Sequence, residues 1–446
     1  MADQLVVFNE TNTLRNDAPN VAIAQREWML AERGMVLGKY ATRYTLEQRM
    51  GLTLRIIRTK RLKLPTVPLT QGVPPDSTGM VLENVDVTVE QWGIVVALTD
   101  VAMVTFQHPK LQKAIELKSL AITEMLEREM AKVLMGGTQV FFGDPVNNNS
   151  RDDLADAVSD RFTSALALRA TIAMRTTGAY PISGNSYGGV IPPQVEGDLF
   201  DNDTLFQTAT TRQSIAALEY GEIPGGDWMG VKWMRGNYLP YFKGVATPID
   251  SGVTAERARF QLQASGGAIN DTQVCKLVVV ARDENTDYER KISQTATITM
   301  SGATGTTDGS ILVTTPSSTN YVYDLYASAA SGGDPHLWRS RVAASTAITL
   351  VDFSDVSVTA ASPPVAPASG IVTYVAWIFG KDAFMRVELN GMSLQSYMTP
   401  PGPSIPDPLA QMRKVGSKLM WKCAILDDNF MRRLEFTSAY PDGLPA

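Results

Sequence analysis

The chain has 446 residues, long enough for about three domains, and its 44% hydrophobic and 19% charged content is ordinary for soluble globular protein. Two cysteines, Cys275 and Cys423, lie far apart with no CxxC spacing, so neither a disulfide framework nor a zinc ribbon is supported, and both read as small buried hydrophobes suited to a reducing compartment. The net charge of −6 is uneven: residues 1–70 carry 11 Lys and Arg against 6 Asp and Glu, which leaves −11 for the rest.

The first residues, Met1 to Glu10, lack a basic n-region and an apolar core, so no secretion signal is expected, and no apolar run reaches the roughly 20 residues of a membrane span. Arg55 to Lys63 reads as a basic strand. Pro65, Pro68, Gly72, Pro74, Pro75 and Gly79 then break the chain, and it returns as a strand from Val85 to Leu98, alternating first and apolar later. The basic residues Arg55, Arg58, Lys60, Arg61 and Lys63 suit either nucleic acid or an acidic protein surface, or form a merely solvated face. No aromatics interleave them, which argues against a base-stacking platform.

Apolar residues at Leu111, Ile115, Ile122, Leu126 and Val133 predict one face of a helix from Pro109 to Met135, roughly 40 Å long. The loop Gly143 to Asp153 is rich in oxygen ligands, but Val146 breaks the EF-hand pattern and no Glu closes it, so a solvated turn is expected. A second helix is predicted across Arg151 to Gly178, with Asp152 and Asp153 at its start and Gly178 at its stop.

From about residue 250 to 370 Ser, Thr, Ala and Val dominate. Short alternating runs recur at Val274 to Ala281, Ile292 to Met300, Ile311 to Thr315, Tyr321 to Ala327, Leu337 to Val342 and Ala347 to Phe353, with turn signals between them. That spacing predicts a β-sandwich. Tyr321 to Tyr326, Leu337 to Arg341 and Thr349 to Asp352 resemble a fibronectin type III or immunoglobulin-like module, and Ala360 to Gly370 reads as a stiff Pro-rich exit. The module carries 8 Lys and Arg against 12 Asp and Glu, and its Gly-, Ser- or Pro-rich junctions predict that few contacts cross them.

Six segments in order carry a family resemblance: Thr66 to Gly72, Val85 to Asp100, Gly136 to Gly143, Ile191 to Leu199, Ile378 to Phe384, and Asp407 to Leu409 with Val415 to Arg433. Together they resemble the major capsid protein of tailed bacteriophages, in the podovirus branch that includes the phage called N-four. About three quarters of the chain fits, and the stretch near Asp250 to Gly370 does not. The resemblance implies an α+β Hong Kong 97-type fold with an inserted immunoglobulin-like β-sandwich. The implied domains are an N-terminal arm (1–54), an extended loop with flanking strands (55–100), and a peripheral domain with the spine helix (101–150). An axial domain (151–249), the inserted sandwich (250–370), the axial return (371–405) and peripheral return strands (406–446) follow.

It also implies hexamers and pentamers forming an icosahedral virion shell around double-stranded DNA, assembled in the host cytoplasm. A separate scaffolding protein, a portal protein and decoration proteins would be partners, the DNA contact would be non-specific, and no membrane or cofactor would take part. Arg55, Arg58, Lys60, Arg61, Lys63, Leu69 and Gly72 become the expected inter-subunit contacts, with the whole of Arg55 to Asp86 lying on a neighbour instead of on its own subunit.

No enzyme is expected. His108 and His336 are the only histidines, Asp427-Asp428 reads as a turn, and no nucleophile elbow, metalloprotease pattern or Walker motif is present. Two alternatives stay open: a virion or cell-surface glycan-binding protein, which would replace the long helix with extended β structure, and a hydrolase, which would need a polar cluster the sequence does not display.

Overall fold

The computed structural model describes residues 35–59, 79–99, 110–144, 146–202, 227–246, 258–263, 266–270, 272–284, 289–300, 309–391, 394–399 and 412–440. They belong to two compact units, Met1–Leu134 with Asp382–Asp427, and Met135–Lys381 with Asp428–Ala446. The C-terminal return expected as one domain (406–446) is therefore divided, its strand Met412–Ile425 joining the first unit's sheet and Met431–Phe436 the second's.

Met412–Ile425 is the axis of the first unit. Glu90–Thr99 runs antiparallel along one side of it. Gln395–Thr399 and Phe384–Leu389 pair antiparallel with successive stretches of the other side, and Thr42–Leu46 adds in parallel to Phe384–Leu389. The return strand expected from Val85 to Leu98 is in fact two strands. Among the described residues Leu82–Thr88 pairs only with Thr53–Thr59, Val89 is buried with its N–H on Leu52 O at 2.9 Å, and the chain then changes sheets. One alternating pattern can serve two sheets because alternation records a buried face without recording its partner.

The long helix α1, Lys110–Leu134, lies within one residue of its predicted ends and spans roughly 37 Å at 1.5 Å per residue. Its buried stripe runs through Lys118, Ser119, Ile122, Thr123, Leu126, Glu127, Met130, Ala131 and Leu134. Ile122 and Leu126 were expected there, but Val133 and Ile115 are only half-buried, and Leu117 and Leu120 face outward. The stripe is displaced because polar residues on it find partners. The Thr123 hydroxyl donates to Ser119 O at 3.0 Å, Lys118 Nζ donates to Ser396 Oγ at 3.3 Å, and Glu127 accepts backbone N–H groups. A hydrophobic count passes over such residues, although hydrogen-bonded polar groups can be buried at little net cost.

In the second unit Val372–Phe379 is buried along nearly its whole length. It pairs with Met431–Phe436 on one side, and with Tyr187–Ile191 and Tyr241–Val245 on the other. Helix α2, Ser164–Thr177, and helix α3, Gln194–Asn202, contribute to one core with these strands. At its centre Phe162 meets Phe436 and Trp233 edge-on, with centroids 5.1 and 5.6 Å apart. α2 starts later than expected. Asp152 and Asp153 open a 3-10 turn, Arg151–Asp153, whereas Thr163 caps the helix by accepting the Leu166 N–H at 3.4 Å. The stop at Gly178 is as expected, with φ 74°.

The six predicted strands between 274 and 353 are present, except that Ile292 to Met300 is split into Glu289–Ser293 and Ala296–Thr299. Two sheets enclose one apolar core. Arg259–Gln263, Ser310–Thr314 and Ala347–Leu350 form one, while Ala296–Thr299, Val274–Asp283, Tyr321–Ser328 and Pro335–Val342 form the other. The expectation of contact-poor junctions is overturned. Glu289–Ser293 pairs in parallel with Tyr241–Val245, so the second of these sheets runs on without a break into the sheet of Val372–Phe379. Gly244 N–H donates to Ile371 O and Gly370 N–H to Gly244 O, both at 2.9 Å, and a Cβ at Gly244 would collide with the carbonyls of Pro367 and Ala368.

Candidate functional site

The candidate site is the hairpin of Thr53–Thr59 and Leu82–Thr88. Period-two alternation gives it two chemically different faces. On the inner face Leu54 lies opposite Val87, Ile56 opposite Val85 and Arg58 opposite Glu83. Val87 is 3% exposed, and with the half-buried Leu54, Ile56 and Val85 it joins a core made with Leu46, Met385, Val387, Leu389, Met420 and Leu426. Arg58 closes this face, donating to Leu426 O and pairing with Asp427 at 3.2 Å and Glu83 at 3.5 Å. The base of the hairpin thus folds onto its own unit, and the expectation that all of Arg55 to Asp86 lies on a neighbour is corrected. A two-stranded ribbon is at best marginal alone, and this core supplies what it lacks.

Among the described residues the outer face carries no such cover. Ile57 is 60% exposed and Leu82 on the same face is exposed as well, as are Met50, Leu52, Met80 and Val81 next to the strand ends. Beside them Arg55 makes a bidentate pair with Asp86, both contacts 2.7 Å, and Thr53 meets Thr88 at 3.0 Å. The hydrogen bond from Arg55 holds the Asp86 carboxyl below its usual range, and Asp86 in turn raises Arg55. The two described arginines of the basic strand therefore face carboxylates of their own chain. Lys60, Arg61, Lys63, Leu69 and Gly72 lie outside the described residues. Reading the basic run alone missed Glu83, Asp86 and Asp427. The first two follow once the strands are set in register; Asp427 needs the fold.

A second polar cluster lies in the second unit. Arg151 clasps Glu435 with two hydrogen bonds of 2.7 and 2.8 Å, donates to Val365 O at 2.9 Å, and stacks its guanidinium 3.9 Å from the centre of the Phe242 ring. Arg433 approaches Glu435 at 2.9 Å; burial pulls its guanidinium below the ordinary value while Glu435 opposes that shift. A cavity of about 430 Å³ adjoins these groups and is also lined by Phe142, Pro364 and Glu289. The cluster is close to charge balance, and every nitrogen of Arg151 is engaged, so it ties the Pro-rich return segment to the core.

Other candidate chemistry resolves into structural roles. His336 Nδ1 lies 3.1 Å from Ala360 O, and His108 is outside the described residues. Asp427 pairs with Arg58, whereas Asp428 accepts the Thr138 N–H at 3.0 Å and opens a 3-10 turn. The oxygen-rich loop is laced by its own hydrogen bonds. Asn148 Nδ2 donates to Gly143 O at 2.8 Å and to Asp160 at 2.9 Å, and the Ala155 N–H donates to Asp160 at 2.8 Å. Among the described residues no group of three His, Cys, Asp or Glu is placed to hold a metal, and no helix is long and apolar enough to cross a membrane. Cys275 and Cys423 are free and buried; burial pushes the Cys275 thiol up to about 11 and the Cys423 thiol upward as well.

No protein-family model and no curated protein sequence matches the chain. Its fold is similar to several solved structures at low identity. The capsid structure of the Cyanophage P-SCSP1u is 11% identical, with TM-score 0.49, covering 91% of this chain and 89% of that one. The capsid of Ralstonia phage GP4 is 10% identical, with TM-score 0.48 and the same coverage. The acidic stable capsid structure of Helicobacter pylori bacteriophage KHP30 is 9% identical, with TM-score 0.49, covering 91% and 88%.

Proposed function

We propose that this chain is the major capsid protein of a tailed phage, a structural subunit that assembles as hexamers and pentamers into an icosahedral shell around double-stranded DNA. The observation that carries the reading is the two-faced hairpin: one face is seated on its own core, and the other presents Ile57 and Leu82 to whatever lies alongside, with Met50, Leu52, Met80 and Val81 exposed next to the strand ends. An exposed apolar strand surface is a liability in a monomer and an asset in a subunit that completes itself against others. Leu117 and Leu120 on the outward side of α1 add apolar surface of the same kind. Lys60, Arg61, Lys63, Leu69 and Gly72, beyond the described strands, extend this contact onto a neighbouring subunit, and a separate scaffolding protein directs closure. The two-sheet module is an immunoglobulin-like insertion on the outer surface, its acidic balance directed away from DNA.

The glycan-binding alternative required strand in place of the long helix, and Lys110–Leu134 is helical. The hydrolase alternative required a cluster of polar groups; among the described residues Arg151 pairs with Glu435 and Arg58 with Asp427. Expression with and without scaffolding protein, followed by sedimentation and negative-stain microscopy, tests the proposal. Capsomers or closed shells are expected; a strict monomer that persists with scaffolding present would overturn it.

A further inference from the structure

Asn390 and Gly391 form the chain's one Asn-Gly dipeptide, and both are exposed where the strand Phe384–Leu389 ends. Three hydrogen bonds tie Asn390 to the end of Thr42–Leu46 and to the two residues after it. Its N–H donates to Leu46 O at 2.9 Å, its side-chain Nδ2 donates to Glu47 Oε2 at 3.1 Å, and its carbonyl accepts from Gln48 Nε2 at 2.9 Å. Gly391 has φ 77°, a left-handed backbone that favours glycine, and a Cβ there would collide with Gln48 Nε2. The fold therefore asks for glycine directly after this asparagine, and glycine leaves its own nitrogen unshielded by a side chain.

We propose that Asn390-Gly391 is a site of spontaneous deamidation, and that its conversion unfastens the contact with residues 46–48. The Gly391 nitrogen loses its proton to water or hydroxide and bonds to Asn390 Cγ. The Cγ–Nδ2 bond breaks, and Nδ2 leaves as ammonia with a proton returned from water. A second water then opens the five-membered imide at either carbonyl, leaving aspartate or isoaspartate at position 390. Gln48 lies on the carbonyl oxygen of the attacking peptide, where its N–H stabilises the negative charge that deprotonation spreads onto that oxygen. Glu47 opposes the step by holding the amide, but it does so through one exposed hydrogen bond of small net worth.

The consequence follows from the partners. An N–H that donated to Glu47 becomes a carboxylate oxygen facing the Glu47 carboxylate, so a hydrogen bond is lost and two like charges meet. Isoaspartate also lengthens the backbone by one methylene and displaces the carbonyl that Gln48 holds. Either product loosens the end of Thr42–Leu46, which lies along Phe384–Leu389 in parallel register. The change needs no enzyme and is irreversible. The inference stands whatever the chain assembles into.

The full chain is incubated folded and, in parallel, unfolded in urea, in mildly alkaline buffer well above its isoelectric point near 5.2. Peptide mass spectrometry of the folded sample is expected to show the amide-to-acid mass gain at position 390 ahead of every other asparagine. No conversion there over a time in which the urea sample converts overturns the proposal. Asn390→Asp supplies the aspartate product directly. Hydrogen exchange of amides 42–46 should then lose about fivefold in protection against wild type, with the strand Val274–Asp283 as internal reference. Adding Glu47→Gln to Asn390→Asp should recover most of that loss, because the like charge is gone. Protection unchanged by Asn390→Asp, or no recovery with Glu47→Gln, overturns the proposal. Should Asn390→Asp not fold, converted and unconverted wild-type protein, separated by anion exchange, give the same comparison.

Discussion

The hairpin and the two-sheet module are both built from short alternating strands, yet they bury their apolar faces differently. In the module, Phe260, Ile311, Val313 and Leu350 of one sheet meet Leu277, Val279, Tyr323 and Leu325 of the other, and each sheet covers the other. In the hairpin, among the described residues, only the inner face is covered, through Leu54, Ile56, Val85 and Val87, while Ile57 and Leu82 are exposed. Alternation shows that a strand has an apolar side. Whether that side is covered depends on the number of layers, and a two-stranded ribbon has too few to cover both of its own faces. Surface left over in this way is where a partner can bind without first unfolding anything.

The largest test of this contrast lies at the attachment of the module. Arg151→Ala would leave Glu435 buried with only Arg433 opposite and would free Val365, and breaking a buried pair in this way costs about 3–5 kcal/mol. Urea unfolding should show it as a lower midpoint. Next, Leu325→Ala, at 1% exposure in the module core, should cost about 3 kcal/mol as lost burial and residual cavity add. On the hairpin's inner face Val87→Ala removes two buried methyl groups, about 1.5 kcal/mol. A loss as large as that at Leu325 would mean the hairpin is packed like a module core. Ile57→Ser, on the outer face, should change subunit stability by less than about 0.5 kcal/mol while reducing the yield of assembled particles by microscopy. Normal particle yield from Ile57→Ser would remove the outer face from the assembly argument.

Much of the element order was legible. α1 and the strands from Val274 to Leu350 follow from periodicity and turn residues, and Gly178 marks its helix end through a left-handed backbone that favours glycine. The start of α2 was misplaced because two acidic residues suit a 3-10 turn as well as a helix N-terminus, and only the chain's later path selects Thr163 as the cap. At the candidate site Arg55 and Arg58 were legible as a basic strand. Their carboxylate partners were not, since Asp86 and Glu83 pair with them across the hairpin and Asp427 lies more than 360 positions away.

The sequence by itself determined which stretches alternate and where glycine and proline interrupt them, because these depend on residue type and local spacing. Only the tertiary structure decided that the module is continuous with the neighbouring sheet through Glu289–Ser293 and Tyr241–Val245, and that the buried stripe of α1 includes Lys118 and Glu127. Strand partners and buried polar groups depend on donors and acceptors supplied from distant parts of the chain, and local composition does not record which of them will meet.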